Sequence, residues 1–262
     1  MKNTLKKIYA ILRLAGLDPI RFLKYLKGIG YYFKDLHEIK KQKGADKSFV
    51  FGEKYPILDE MFVESGTMSG HYFHQDLFVA RLIFEKNPPR HIDIGSRIDG
   101  FVAHVAVFRE IEIFDFRPQS SKVKNIKFTQ ADLMKLPLNL KNSCDSISSL
   151  HAIEHFGLGR YGDPVDYNGH LKAIQNIYEM LKIGGLFYFS VPIGKQRICF
   201  NAHRVFSIKY LLSVFENKFD IVSFSYVDEG DVFHEKVTLN DIDVENNFAC
   251  SYGCGIFELI KI

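Results

Sequence analysis

RHIDIGSRIDGFVAHVAVFREIEIFDF, residues 90–116, decides the fold. A short apolar run ends at Asp93, and a turn carrying Gly95, Ser96, Arg97 and Gly100 follows. An apolar stretch at helical spacing comes next, then a second apolar run that closes on Asp115. Strand, turn, helix, strand, acid is the order that a nucleotide-type cofactor site needs. Glycines let backbone approach a ligand, and the start of the helix offers free N–H groups. The second acid lies 22 residues after the first, where a carboxylate can accept hydrogen bonds from both ribose hydroxyls. The dinucleotide fingerprint is not met, because Arg97 stands where it requires another glycine.

Outward from this stretch the chain alternates strand and helix. Apolar strands are predicted near 91–95, 111–116, 126–130, 145–150, 186–192, 220–227 and 248–260, and helices near 73–86, 100–108, 169–182 and 207–216. Gly184-Gly185 stops the third of these helices, as glycine at a helix C-terminus does. The pattern predicts an α/β fold, a doubly wound, mostly parallel seven-stranded sheet with helices on both faces.

Composition sets the outer bounds. The 262 residues include 24 phenylalanines and are 47% hydrophobic, enough for a substantial core. The four cysteines (Cys144, Cys199, Cys250, Cys254) hold no C-x-x-C pair and read as reduced thiols of a cytoplasmic protein. Residues 1–50 carry 12 Lys/Arg against 4 Asp/Glu, whereas the whole chain nets only +3. Residues 1–48 therefore read as a basic helical extension, and 49–262 as the α/β domain. Leu5, Ile8, Leu12 and Ala15 predict one amphipathic helix. Phe22, Leu23, Tyr25 and Leu26 predict a second, with Asp18 as N-cap and Pro19 in its first turn. Residues 41–48 read as a linker. The basic helices suit packing on the body or on a partner subunit, or peripheral contact with the inner, anionic face of a membrane. No nucleic-acid motif accompanies the charge.

Further candidates fall at the carboxyl ends of predicted strands, where open α/β sheets bind ligands. Asp132 and Leu133 follow the third strand, an acid and an apolar side chain that could meet a purine amino group and ring. His151, Glu154 and His155 follow the fourth, as candidate bases and an orienting acid. A glycine-rich stretch leads to Asp163 and His170. The loop after Pro192 adds His203 and Arg204.

In this order the residues resemble class I S-adenosylmethionine-dependent methyltransferases. The matching pieces are Asp93 with Gly95, then Asp115, Asp132, Ile153-Glu154-His155, and Leu181 to Gly185. The strings DIGSRIDGFVAH, LHAIEHFGLGRYGDP, SVPIG and FNAHRVF are similar to an uncharacterised bacterial group, domain-of-unknown-function family 268, often found among surface-polysaccharide genes. The resemblance implies a Rossmann-like methyltransferase fold with S-adenosylmethionine as cofactor. It implies cofactor contacts from Asp93, Gly95, Ser96, Arg97, Gly100, Asp115, Asp132 and Leu133, with Arg97 placed to pair with the methionyl carboxylate or to project into solvent. His151, Glu154 and His155 become the catalytic group, and Asp163, His170, His203 and Arg204 wall an acceptor pocket. The acceptor implied is a hydroxyl of a sugar, nucleotide sugar or glycan. Some sugar methyltransferases use a magnesium ion, although no residue pattern here demands a metal.

Two rival readings use the same residues. His151-Ala-Ile-Glu154-His155 fits H-x-x-E-H, the signature of an inverted zincin, which needs a stable helix that Phe156-Gly157 does not favour. A methyltransferase-like body that has lost turnover and serves as a scaffold is the other, motivated by Arg97.

Overall fold

The computed structural model describes residue 9, residues 12–135 and residues 140–262. The chain forms two compact units, Met1–Thr67 and Met68–Ile262. Residues 49–67, expected with the α/β body, group with the first unit.

In the first unit, helix α1 runs Pro19–Lys43. The Asp18 side chain accepts from the Arg21 backbone N–H, so the expected N-cap is in place. Lys40, Lys41 and Lys43 fill the last turn, where cations complement the helix dipole. The helix thus enters the stretch read as a linker and stops at Gly44, which has φ 49°. The first expected amphipathic helix lies largely outside the described residues. No described helix is long and apolar enough to cross a membrane.

The second unit is built on one sheet. Its strands are β1 (His91–Ile94), β2 (Ile111–Asp115), β3 (Ile126–Gln130), β4 (Cys144–Leu150), β5 (Leu181–Ile193), β8 (Phe219–Val227), β9 (Phe233–His234) and β10 (Gly253–Lys261). They lie in the order β3-β2-β1-β4-β5-β10-β8-β9. The first five are mutually parallel, and β10 inserts antiparallel between β5 and β8. This is the Rossmann-like methyltransferase fold that the sequence led us to expect. The count differs by one, since the two-residue β9 adds an eighth strand through an antiparallel pairing on β8. A separate hairpin joins β6 (Arg197–Cys199) and β7 (His203–Val205).

Both faces of the sheet are covered, which is why β1 and most of β4 are buried without alternation. On one face α2 (His71–Lys86) packs Phe78, Val79, Leu82 and Ile83 with Phe101, Val105, Ile113 and Tyr188. On the other, α4 (Gly169–Met180) and α5 (Ile208–Phe215) bring Ile174, Ile177, Leu211 and Phe215 onto Phe187, Phe189 and Phe257. The helix after β1 is shorter than its apolar pattern. It opens with a π turn, Ile98–Val102, followed by one α turn, α3 (Ala103–Ala106). The crossover strands run in one direction, so the loops after β1, β2, β3 and β4 gather at one sheet edge, and the ligand crevice belongs there.

Candidate active site

A cleft of about 1110 Å³ opens at that edge. Its floor begins at Gly95, whose φ of 67° suits glycine and whose absent Cβ would lie 3.2 Å from the Ala152 Cβ. Asp93 ties the turn down from beneath. It accepts from the Ser96 N–H (3.0 Å), the Ser96 hydroxyl (2.6 Å) and the Ser148 hydroxyl (2.6 Å). Ser96 Oγ in turn accepts from the Leu150 N–H at 2.9 Å. Asp93 is completely buried, and burial pushes its carboxyl up to about 7 against those three hydrogen bonds. Two expected cofactor contacts are therefore corrected. Asp93 shapes the turn without facing the cleft, and Gly100 is a packing site whose missing Cβ leaves room for the Asp76 carboxylate. Gly95, Ser96 and Arg97 do line the cleft. Arg97 is half exposed, pairs with Asp99 at 2.7 Å and lies over the Tyr72 ring.

At the end of β2, Asp115 borders both the main cleft and a narrower apolar slot. The slot is lined by Phe114, Ala131, Asp132, Leu133, Met134 and Phe156, among others. The Asp115 carboxylate is engaged by its own neighbour: Arg117 donates to it from Nε at 3.1 Å and from Nη2 at 2.7 Å. The same guanidinium lies 4.4 Å from the centroid of the Tyr161 ring. Asp132 accepts from the Met134 N–H at 3.0 Å and keeps a partly open carboxylate in the slot.

After β4 the chain makes a turn with His151 at φ 49°, an uncommon conformation for a residue with a Cβ. That turn aims the imidazole sideways, where its Nδ1 donates to Glu154 Oε1 at 2.8 Å. Burial, the largest influence on His151, acts downward; Cys254 and then Glu154 together outweigh it and lift the imidazole to about 10. His155 differs. Its Nδ1–H donates to the Ala202 carbonyl at 2.6 Å, and its Nε2 stands 3.7 Å from Glu154 Oε1 on a ring that borders the cleft. Burial holds His155 below the ordinary imidazole range. Of the two candidate bases, burial favours the neutral form of His155, whereas Cys254 and Glu154 favour the protonated form of His151. The HAIEH segment forms only a three-residue 3-10 turn, Ile153–His155, which removes the long helix that the zincin reading needs.

The expected acceptor residues divide. His203 lines the cleft and packs on Tyr252, and Asp163 borders the slot, its carboxylate bound by the Gly157 and Tyr161 N–H groups. His170 does not reach either cavity. It is buried against Tyr210, whose hydroxyl lies 2.7 Å from Nε2. Arg204 is also buried, bonding the carbonyls of Phe156 (2.6 Å), Tyr167 (3.1 Å) and Glu154 (3.4 Å). Both are structural, with no face toward an acceptor. Residues missed by sequence reasoning include His71, Tyr72, Arg117, Arg160, Glu229 and Tyr252, all on the cleft wall. They come from five different segments, so no local spacing reveals them together; Arg117, two residues past the strand-end acid, and Arg160, three before Asp163 in the glycine-rich stretch, were near marked positions.

Among the described residues one cluster brings three metal-ligating side chains together, His71, His151 and Cys254. Nitrogen and sulfur do not suit magnesium, which takes oxygen ligands, so the expected magnesium ion finds no support in it.

No curated protein matches the chain. Solved structures share its fold at low identity. N-methyltransferase NodS from Bradyrhizobium japonicum WM9, in complex with S-adenosyl-L-homocysteine, is 13% identical with a TM-score of 0.48, over 72% of this chain and 86% of that one. The Burkholderia thailandensis 1,6-didemethyltoxoflavin-N1-methyltransferase is 11% identical with a TM-score of 0.47, over 71% and 78%. The cyclase SpnF is 14% identical with a TM-score of 0.48, over 70% and 80%. These likenesses are too distant to argue from, and the strand order carries the fold. A family model described as "Caenorhabditis protein of unknown function, DUF268" matches residues 104–249. Its description names Caenorhabditis, where the sequence strings had suggested a bacterial group. The matched span runs from α3 through the His151–His155 turn to the residues before β10, more than half of the chain, and the chain belongs to this DUF268 family.

Proposed function

We propose that the protein transfers a methyl group from S-adenosylmethionine to a hydroxyl of a sugar, nucleotide sugar or glycan. The observation that carries the reading is the placement of Asp115 and Asp132 at the ends of adjacent strands, with an apolar slot between them that opens into a polar, histidine-lined cleft. The residues present fit the cofactor. Asp115 would take the ribose hydroxyls, Asp132 the adenine amino group, and Leu133 and Phe156 the faces of the ring. Gly95 and Arg97 would meet the methionyl end. Bound there, S-adenosylmethionine supplies an electrophilic sulfonium methyl group.

The chain's own share is positioning and proton removal. His155 Nε2 takes the proton of the acceptor hydroxyl, while its Nδ1–H stays anchored on the Ala202 carbonyl. Tyr72, Tyr161 and Tyr252 offer flat faces, and Glu229, Arg160 and His203 offer hydrogen bonds around them. Aromatic faces beside charged hydrogen-bonding groups suit a polyhydroxylated ring, which supports a sugar acceptor. Asp163 stands where the slot meets the loop after β4 and fixes that wall.

Arg117 seated on Asp115 favours a second reading, a body that holds its own cofactor cleft shut and acts as a scaffold. Calorimetric titration with S-adenosylmethionine and S-adenosylhomocysteine separates the two. The proposal expects saturable binding that Asp115→Ala weakens by about 1–3 kcal/mol, the worth of a lost charged hydrogen-bonding group. Absence of binding to both the wild type and an Arg117→Met variant overturns it in favour of the scaffold.

A further inference from the structure

We propose that His71, His151 and Cys254 form a site for a zinc-class divalent metal ion in the wall of the cleft. Three separate parts of the fold converge there: the first residue of α2, the residue after β4, and the second residue of β10. One ligand atom from each lies within 4.8 Å of the others.

The strongest sign is an orphaned atom. His151 is 4% exposed at its side chain, and its Nδ1–H is committed to Glu154. Its Nε2 is buried with no nitrogen or oxygen partner, and what it meets is the Cys254 thiol. Buried polar atoms are rarely left so. A carboxylate that fixes Nδ1–H and turns Nε2 toward neighbouring donors is how proteins hold a histidine for a metal. The spacing of the rings agrees. Two imidazoles on one tetrahedral ion, with Zn–N near ~2.1 Å, have centroids about 5.2 Å apart. The His71 and His151 rings are 5.3 Å apart but stacked, with planes 2° from parallel, so one ring must rotate before both in-plane lone pairs meet at one ion. Cys254 is fully buried, and its Sγ makes only long contacts, 3.6 Å to Gln75 Oε1 and 3.9 Å to the Gly255 carbonyl. Nitrogen and sulfur ligands on a tetrahedral zinc lie roughly 3.5 Å apart, so the widest separation closes by about 1 Å on binding.

Two imidazoles and a thiolate are a soft donor set that favours zinc over magnesium or calcium. Binding releases the one proton held between the Cys254 thiol and His151 Nε2. Three protein ligands leave a fourth position, and His71 and His151 face the cleft, so that position opens toward it. An open fourth position is the mark of a zinc site that handles a ligand. Water occupies it at rest, and a hydroxyl or thiol of the acceptor replaces it; this last assignment rests on the methyl-transfer reading, whereas metal binding itself does not.

The test uses the full chain, stripped with a chelator and titrated with Co2+ and then Zn2+, with no cofactor present. The expected result is one equivalent of Co2+ with a thiolate-to-cobalt charge-transfer band, bleached by Zn2+. Cys254→Ser abolishes the band, Cys199→Ser leaves it unchanged, and Glu154→Gln weakens affinity roughly 10–100-fold. X-ray absorption of the zinc-loaded wild type, which needs no variant to fold, should find one sulfur at about 2.3 Å with imidazole nitrogens. A shell of nitrogen and oxygen alone, a band that survives Cys254→Ser, or no stoichiometric binding overturns the proposal in favour of a plain thiol–imidazole contact. Each of these results leaves S-adenosylhomocysteine binding as a separate measurement.

Discussion

Arg117 grips Asp115 at two points, Nε on Oδ1 and Nη2 on Oδ2, while the face of its guanidinium rests on Tyr161. The carboxylate nominated for the ribose is thus already paired within its own segment. A ligand that uses Asp115 has to displace or share an ion pair whose arginine is half exposed, an interaction worth up to about 1 kcal/mol. Arg117→Met should therefore tighten S-adenosylhomocysteine binding about two- to five-fold by calorimetry. Weaker binding in that variant would show that the guanidinium holds the ligand itself.

Glu154 and His151 are both almost fully buried, so removing one partner strands the other. Glu154→Ala should cost about 3–5 kcal/mol in denaturant unfolding of the metal-free protein. His151→Asn combined with Glu154→Ala should cost less than the two single changes added together, because the second change removes the stranded group. Additive losses would mean that the pair is not coupled.

His91 supplies a pH dependence. It is buried between the Ser146 and Ser148 hydroxyls, and burial holds it down to about 3, against 6.5 for a free imidazole. Between those values the unfolded chain binds a proton that the folded chain refuses, so stability falls as pH drops from 6.5 toward 3. His91→Gln should flatten that part of an unfolding-versus-pH curve. A slope as steep as that of the wild type would place its source elsewhere.

Gly157 has φ 75°, and a Cβ there would run into the Asp166 carbonyl. Gly157→Ala should destabilise the protein by about 1–3 kcal/mol, as forcing such a conformation does. Because the loop it begins carries Tyr161 and Asp163, ligand affinity should drop as well. Thermal unfolding and calorimetry on the same sample check both.

The strands were legible because burial on both faces leaves short runs such as HIDI and SISSL, in which branched apolar residues recur among polar ones, and the Gly184-Gly185 pair marks where β5 takes over from its helix. The strand-end acids Asp115 and Asp132 were legible for the same reason, as they sit where such a run stops. What escaped was direction. Asp93 lies on the same kind of strand end, yet two serine hydroxyls turn it inward, one of them supplied by β4 far along the chain. His170 and Arg204 carry the chemistry of a binding site but point into the packing between α4, α5 and the hairpin. The His71–His151–Cys254 grouping depends on β10 lying beside β5, a tertiary fact with no trace in local spacing.

Arg204 acts as a rivet. One planar cation fastens Phe156 and Tyr167, the two ends of the loop that carries Tyr161 and Asp163, and it is rooted in the β6–β7 hairpin. The mouth of that loop is therefore as wide as a guanidinium and cannot gape. Any change in the shape of the cleft on that side comes from tilting hairpin and loop together as one bracket. A buried arginine that touches neither cavity thus sets the place of His203, its neighbour in the hairpin, on the cleft wall.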